Sequence, residues 1–384
     1  MSVSEQNRLQ LTELITSVHD TYLAKVSEVR NIPVNELKGI SDKMQVRFPE
    51  DAARLGLISK VAYEDQMRDL LKGEMGLDKD ADLTLMSYTK YLKTNPGGGY
   101  SANKIAVIVA NGEIVMGSAD GVIGGDQFAK EIKKARENSA IKAIVLRVNS
   151  PGGSLTASDM IWREVMLTKG VKPIIASMSD VAASGGYFIS MPCDTIVAQA
   201  NTITGSIGIF GMLFNVGEFL ENKVGITNES VSTGEFSDLM TMTRSLTEQE
   251  RAIIQQQVEK GYETFTTKAA QGRSMEVEEL KQYAGGRVWS GEQAYERGLV
   301  DVLGSFETAV EIAAEKAGIS EDYALRYYPE QKPLIDQILT ELSEAEARIF
   351  AREADIMASY LEKIKALERM RGIQARLPGD IEIH

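Results

Sequence analysis

The sequence predicts an α/β fold for its central part, on three observations. Unbroken apolar runs rich in β-branched residues recur at Ile105-Ala106-Val107-Ile108-Val109, Ala143-Ile144-Val145-Leu146-Arg147-Val148 and Pro173-Ile174-Ile175-Ala176-Ser177-Met178, as expected of strands in a parallel sheet covered on both faces. Helical stretches alternate with them, Gly124 to Glu137 and Asp159 to Lys169, so strand, helix and strand succeed one another as crossover units. The last two strands each run into a small-residue turn, Asn149-Ser150-Pro151-Gly152-Gly153-Ser154 and Ala182-Ala183-Ser184-Gly185-Gly186-Tyr187. Ligands of open α/β sheets collect at such strand ends.

Taken in order, residues 1–93 read as mostly helical. Leu9, Leu11, Leu14, Ile15, Val18, Tyr22 and Val26 recur near helical spacing, with Ser4 placed to cap them. Residues 94–103 are a linker, because Asn95-Pro96-Gly97-Gly98-Gly99 forbids a regular element. Residues 104–332 form the α/β domain, which continues with a strand at Asp194–Ala198 and a helix at Asn215–Lys223. A further helix runs from Arg244 to Tyr262, with Thr247 and Glu250 spaced as a capping box. Residues 333–384 read as a charged amphipathic helical tail, a surface or interface helix.

Composition bounds the function loosely. With 384 residues, 43% hydrophobic and 25% charged, the chain is long enough for two domains or so. A net charge of -13 argues against a nucleic-acid surface. The single cysteine, Cys193, permits no intrachain disulfide and reads as a small buried apolar residue. The first residues are polar, and no run approaches the roughly 18 apolar residues of a membrane span.

One stretch occurs twice. Glu50-Asp51-Ala52-Ala53-Arg54-Leu55-Gly56-Leu57-Ile58 parallels Glu292-Gln293-Ala294-Tyr295-Glu296-Arg297-Gly298-Leu299-Val300, and upstream Asn35-Glu36-Leu37 and Ser4-Glu5-Gln6 parallel Glu278-Glu279-Leu280 and Thr247-Glu248-Gln249. The second copy follows the whole α/β body and the first follows nothing. The expectation is a chain that starts in the middle of a repeat.

The chemistry centres on Ser184. A serine nucleophile needs backbone N–H donors for the oxyanion, and glycines let a substrate carbonyl come close. Gly185 adjoins the serine and Gly152-Gly153 ends the neighbouring strand. Taken alone, both turns also read as ordinary tight loops. With only His19 and His384 in the chain, a Ser-His-Asp triad is improbable and a lysine base is the natural replacement. Yet no lysine lies between Lys223 and Lys260. Thr204-Gly205-Ser206-Ile207-Gly208-Ile209-Phe210-Gly211 lacks the spacing of a dinucleotide loop. It reads either as the glycine-lined wall of a groove, pairing with an extended peptide as an added strand, or as a closely packed buried strand.

In order, the three stretches Ile144–Ser154, Ala182–Tyr187 and Ile203–Gly211 resemble signal peptide peptidase A, or protease IV, most closely its long bacterial form with two tandem halves. The likeness extends over roughly residues 1–330. It implies a ClpP/crotonase-like superhelical spiral of ββα units, with a helical half-repeat in front and a long helix at the end. It also implies Ser184 as nucleophile, the N–H groups of Gly153 and Gly185 as oxyanion hole, and the Ser206 hydroxyl as the group that orients the lysine. That lysine is not present in this chain. In the long form it belongs to the first half of the subunit, so the expectation is an N-terminally truncated member. No cofactor and no metal is implied. The expected substrates are hydrophobic peptides such as cleaved signal peptides. The expected setting is a homo-oligomer, tetrameric by resemblance, on the periplasmic face of the bacterial inner membrane, held there by the N-terminal anchor of the part expected to be missing. Two alternatives remain open: an inactive scaffold or binding subunit, and, more distantly, a crotonase-like acyl-CoA enzyme.

Overall fold

The computed structural model describes residues 3–88, 90–91, 101–117, 121–329 and 372–376. Two compact units make up the chain, Leu11–Gly99 and the remainder.

The helical unit is built from α1 (Glu5–Arg30) from Leu11 onward, α2 (Val34–Asp42), α3 (Pro49–Arg54) and α4 (Glu64–Glu74). The hydroxyl of Ser4 accepts the N–H of Asn7 at the start of α1, as the sequence predicts.

In the larger unit a mostly parallel sheet runs through β1 (Lys104–Asn111), β4 (Ile141–Ser150), β6 (Ile174–Ala183) and β7 (Thr195–Ala198). Along β4, Ile144, Leu146 and Val148 pack into one core cluster while Ala143 and Val145 pack into the other. Apolar residues at successive positions therefore serve both faces, and each full burial of a Leu or Ile contributes about 1.5–3 kcal/mol. Between the strands lie α5 (Gly125–Glu137) and α6 (Leu155–Thr168), and α6 is capped by Ser154, whose hydroxyl accepts the Ala157 N–H. The predicted class, α/β with a parallel sheet, is the one the chain adopts.

A second, five-stranded sheet joins β2 (Ile114–Val115), β3 (Ile123–Gly124), β5 (Gly152–Ser154), β9 (Phe210–Met212) and β10 (Gly372–Arg376). Its order is β3-β2-β5-β10-β9. Here the sequence reading needs correction: 372–376 lies within the stretch expected to be helical, yet it is a strand. Ladder partners on both sides override a local helical pattern that Gly372 already interrupts. The rest of the expected tail helix, 330–371 and 377–384, and positions 94–100 of the linker lie outside the described residues.

The repeat is structural. The helical unit's α1, α2, α3 and α4 correspond to α8 (Glu248–Arg273), α9 (Val277–Lys281), α10 (Gly291–Glu296) and α11 (Phe306–Lys316), each starting 242 or 243 residues later. The first pair has 26 residues each and the last pair 11 each. Left-handed residues recur too, Asn31 with Ser274, Gly56 with Gly298 and Gly76 with Gly318. Burial separates the copies. Ala309, Ala313 and Val300 are buried, whereas their counterparts Met67, Leu71 and Ile58 are 50%, 41% and 36% exposed. The second copy covers the sheet; among the described residues, the first presents the same face exposed.

Candidate active site

The two glycine turns meet. Parallel pairing of β4 with β6, through Ser150 opposite Ala182, brings both strands to the same end of the sheet. A methyl group built on Gly152 would lie 2.6 Å from the Gly185 nitrogen, and one on Gly185 would lie 2.7 Å from the Ser158 hydroxyl and 3.0 Å from the Gly152 Cα. No Cβ fits at either position, and Gly152 also sits at φ +99°, where side chains are strained.

Ser184 stands at the turn from β6 into α7 (Gly185–Ser190) with φ 52° and ψ -111°. That backbone is rare for a residue with a side chain and costs on the order of 1–3 kcal/mol. It is held by the Ser184 N–H donating to the Gly205 carbonyl at 2.8 Å and by the Ser184 carbonyl accepting from Phe188 at 2.8 Å. The fully buried α7 anchors it further: Tyr187 donates its hydroxyl to the Leu299 carbonyl at 3.0 Å, and Phe188 packs on Phe265. Ser184 is wholly buried, and its Oγ has no hydrogen-bond partner among the described residues.

Ser206 occupies the equivalent place on the next strand. β8 (Ile203–Gly205) runs parallel to β6 with Gly205 opposite Ala183, so Ser184 and Ser206 follow adjacent strand ends. Ser206 is buried, has φ 48°, and donates its N–H to the Arg287 carbonyl at 2.8 Å. An open cavity of about 380 Å³ lies against it, with Gly208, Tyr262, Gly286 and Arg376 in its wall. Gly153 pairs with Ala375 on one side and with Ile114 on the other.

No lysine hydrogen-bonds to the Ser184 hydroxyl among the described residues. Lys169 donates to the Pro192 carbonyl, Lys172 to the carbonyls of Ala135 and Asn138, and Lys268 to the Asp159 carboxylate beneath the Trp162 ring. The stretch after Thr233 is organised by an arginine. Arg244 clamps Asp238 and the buried Glu250, and these bonds, with the Thr247 N–H, hold the Glu250 carboxyl down at about 2. Cys193 is buried, and desolvation pushes its thiol far above the ordinary range, so it is no nucleophile.

Sequence reasoning missed two features. One is the unusual backbone at Ser184 and Ser206, for which serine gives no signal. The other is the strand 372–376 and the Glu113–Arg376 ion pair across it, at 2.8 Å. They are separated by 263 residues, so neither was visible as a local motif.

Peptidase family S49 matches over residues 1–78 and 167–320. "Serine protease SPPA, chloroplastic" of Arabidopsis thaliana is 32% identical over 98% of this chain and 56% of its own length. "Protease 4" of Salmonella typhi is 38% identical over 75% of this chain and 46% of its own. The chain thus spans about half the length of these curated relatives. Among solved structures, a ClpP1 mutant from Listeria monocytogenes is similar at 14% identity and a TM-score of 0.36, covering 53% of this chain and 94% of that one. The chain belongs to peptidase family S49.

Proposed function

We propose that the chain is the serine-bearing part of a serine peptidase that cleaves extended peptides with Ser184 as nucleophile. The carrying observation is the buried, unpartnered Ser184 hydroxyl at a strained strand-to-helix turn, with the Gly152–Gly153 turn packed against Gly185. In this reading the N–H groups of Gly153 and Gly185 receive the negative charge that develops on the substrate carbonyl oxygen, in a dry site where such donors act strongly. Ser184 loses its proton to a lysine amine, the acyl-enzyme forms, and water releases it. Ser206, beside the cavity, positions that amine, and burial there favours its neutral form.

The lysine comes from a second α/β body. Two observations motivate this: no described lysine reaches Ser184, and the exposed face of α3 and α4 repeats the face that α10 and α11 bury. The domain organisation follows, with 1–93 a helical repeat unit, 94–103 a linker, 104–332 the peptidase domain and 333–384 an appended segment. On the same reading the substrates are hydrophobic peptides such as cleaved signal peptides. The assembly in this reading is a homo-oligomer at the bacterial inner membrane, the setting that the resemblance to the long bacterial form implies. Among the described residues no helix is long and apolar enough to cross a membrane. A second reading, a binding subunit without activity of its own, rests on the same bare hydroxyl.

Fluorophosphonate labelling separates the two, read by intact mass and peptide mapping. It is run on the chain alone and mixed with a lysine-bearing α/β body from a two-half relative. An adduct on Ser184 that appears or strengthens in the mixture, and is absent from Ser184→Ala, is expected. Peptide hydrolysis by the mixture that survives Ser184→Ala would refute the assignment.

A further inference from the structure

In the peptidase reading the oxyanion hole is made of glycines, which trade rigidity for access. Gly152 sits at φ +99° and Gly153 at φ +153°, and with no side chains to pack, such a turn has to be held from outside. Donors help a reaction only when they stay in place while charge develops. Two hydroxyls hold this turn, one on each side of Gly153. Ser150 accepts the Gly152 N–H on its Oγ at 3.2 Å, and Ser158 donates its Oγ–H to the Ser154 carbonyl at 2.9 Å. Both serines are wholly buried.

Ser158 also reaches the other turn. A bond to the carbonyl four residues back is by itself a common way to satisfy a helical hydroxyl, and Thr168 on the same helix and Ser190 on α7 make it too, to Glu164 and Gly186 at 2.8 Å each. With its proton committed to Ser154, however, the Ser158 oxygen packs against Gly185. A methyl group built on Gly185 would lie 2.7 Å from it, so this oxygen fills the space that a side chain at 185 would take. One atom therefore joins the turn that ends β5 to the turn that follows Ser184. The helix that carries it is itself pinned. The Ser154 hydroxyl caps α6 on the Ala157 N–H, and Ala157 packs so closely on α5 that a methyl group on Gly125 would lie 2.8 Å from its Cα.

We propose that Ser158 is a positioning residue for the peptidase reaction: its hydroxyl is a strut between the Gly152–Ser154 turn and the Ser184–Gly185 turn, and it fixes the spacing of the Gly153 and Gly185 N–H groups. The proposal deepens the peptidase reading and rests on it for the role of those two groups. Ser158 is buried behind both turns and meets no substrate. Its removal leaves peptide binding intact and loosens the donors, so it acts on the step in which negative charge appears on the carbonyl oxygen.

The test compares Ser158→Ala with Thr168→Val, which deletes a buried hydroxyl bonded in the same way at the far end of the same helix. Hydrogen–deuterium exchange of the full chain, read by mass on peptides covering 150–155 and 184–187, needs no turnover. Ser158→Ala is expected to speed exchange about tenfold in both peptides, and Thr168→Val in neither. Turnover of a fluorogenic peptide of alternating Ala and Leu is then measured with the chain mixed with a lysine-bearing α/β body from a two-half relative. Ser158→Ala should lower kcat on the order of tenfold with KM within about twofold, while Thr168→Val leaves both within about twofold. Urea unfolding checks that the variants fold; if Ser158→Ala does not, Ser158→Cys, which keeps only a weak donor, takes its place with the same expectations. Exchange in the two turns no faster than in Thr168→Val overturns the strut. So does a kcat within about twofold of the unaltered mixture, or a loss that falls on KM instead. An unaltered mixture with neither hydrolysis nor a fluorophosphonate adduct on Ser184 sinks the peptidase reading, and the exchange comparison then decides the strut by itself.

Discussion

Removing the Ser184 hydroxyl should make the protein more stable. In the native state that oxygen is inaccessible and accepts or donates no hydrogen bond among the described residues, whereas in the unfolded chain water satisfies it. An unmade bond of this kind costs about 1–3 kcal/mol. Loss of the few contacts the oxygen makes returns only a few tenths of a kcal/mol. Ser184→Ala is therefore expected to gain about 1–2 kcal/mol. Ser184→Gly relieves the strain of φ 52° and ψ -111° as well, about 1–3 kcal/mol, against about 0.5–1 kcal/mol of extra backbone entropy in the unfolded state. It should be at least as stable as the alanine variant. The assay is urea unfolding followed by tryptophan fluorescence. It reports the α/β unit alone, because Trp162 and Trp289 are the chain's only tryptophans. With a slope of about 3 kcal/mol/M, the alanine variant's midpoint should rise by about 0.5 M. A midpoint that falls for Ser184→Ala would refute the reasoning, since it would mean that the hydroxyl makes a stabilising contact. Stability gained by deleting a side chain is what a site held ready for a reaction partner gives.

Other expectations follow from the same geometry. Gly185→Ala puts a methyl group 2.7 Å from the Ser158 hydroxyl and 3.0 Å from the Gly152 Cα. It should cost about 1–3 kcal/mol and abolish labelling of Ser184, checked by urea unfolding and intact mass. Tyr187→Phe strands the buried Leu299 carbonyl and should lower stability by about 1–2 kcal/mol in the same unfolding assay. The Glu250 carboxyl is held near 2, chiefly by Arg244 and then by the Thr247 N–H, and Asp238 is lowered by the same arginine. A lowered carboxyl stabilises the fold fully above its ordinary value of 4.5 and loses that contribution as pH falls toward 2. Limited pepsin digestion should therefore cut the 238–247 stretch increasingly below pH 4.5, and Glu250→Gln should flatten that dependence. Cys193 should resist a thiol reagent in native protein and react on unfolding, measured by mass, because burial holds its thiol protonated.

Much of this protein is legible in its sequence because the deciding interactions are local or periodic. The runs at Ala143–Val148 and Pro173–Met178 read as two-sided strands, since they are short, rich in β-branched residues and end in glycine- or small-residue turns. Thr247 and Glu250 declare a helix start from three residues apart, and the duplicated Glu-Ala-Gly-Leu pattern declares a repeat. The turns around Gly152 and Ser184 are legible as motifs for a similar reason: glycines are required wherever backbone must approach backbone. Tertiary structure alone decided the remainder. Whether Ser184 is buried and unpartnered depends on Gly205 and α7 closing around it, and its left-handed backbone is imposed from outside. The Gly372–Arg376 strand has no strand signal of its own; two open ladder edges, one more than 150 residues before it and the other more than 200, make it one. Glu113 and Arg376 are brought together by that register and by no feature of either segment. Local propensity is a matter of tenths of a kcal/mol per residue, whereas a ladder on each side and a buried, charge-assisted pair are worth more, so the long-range partners decide the outcome.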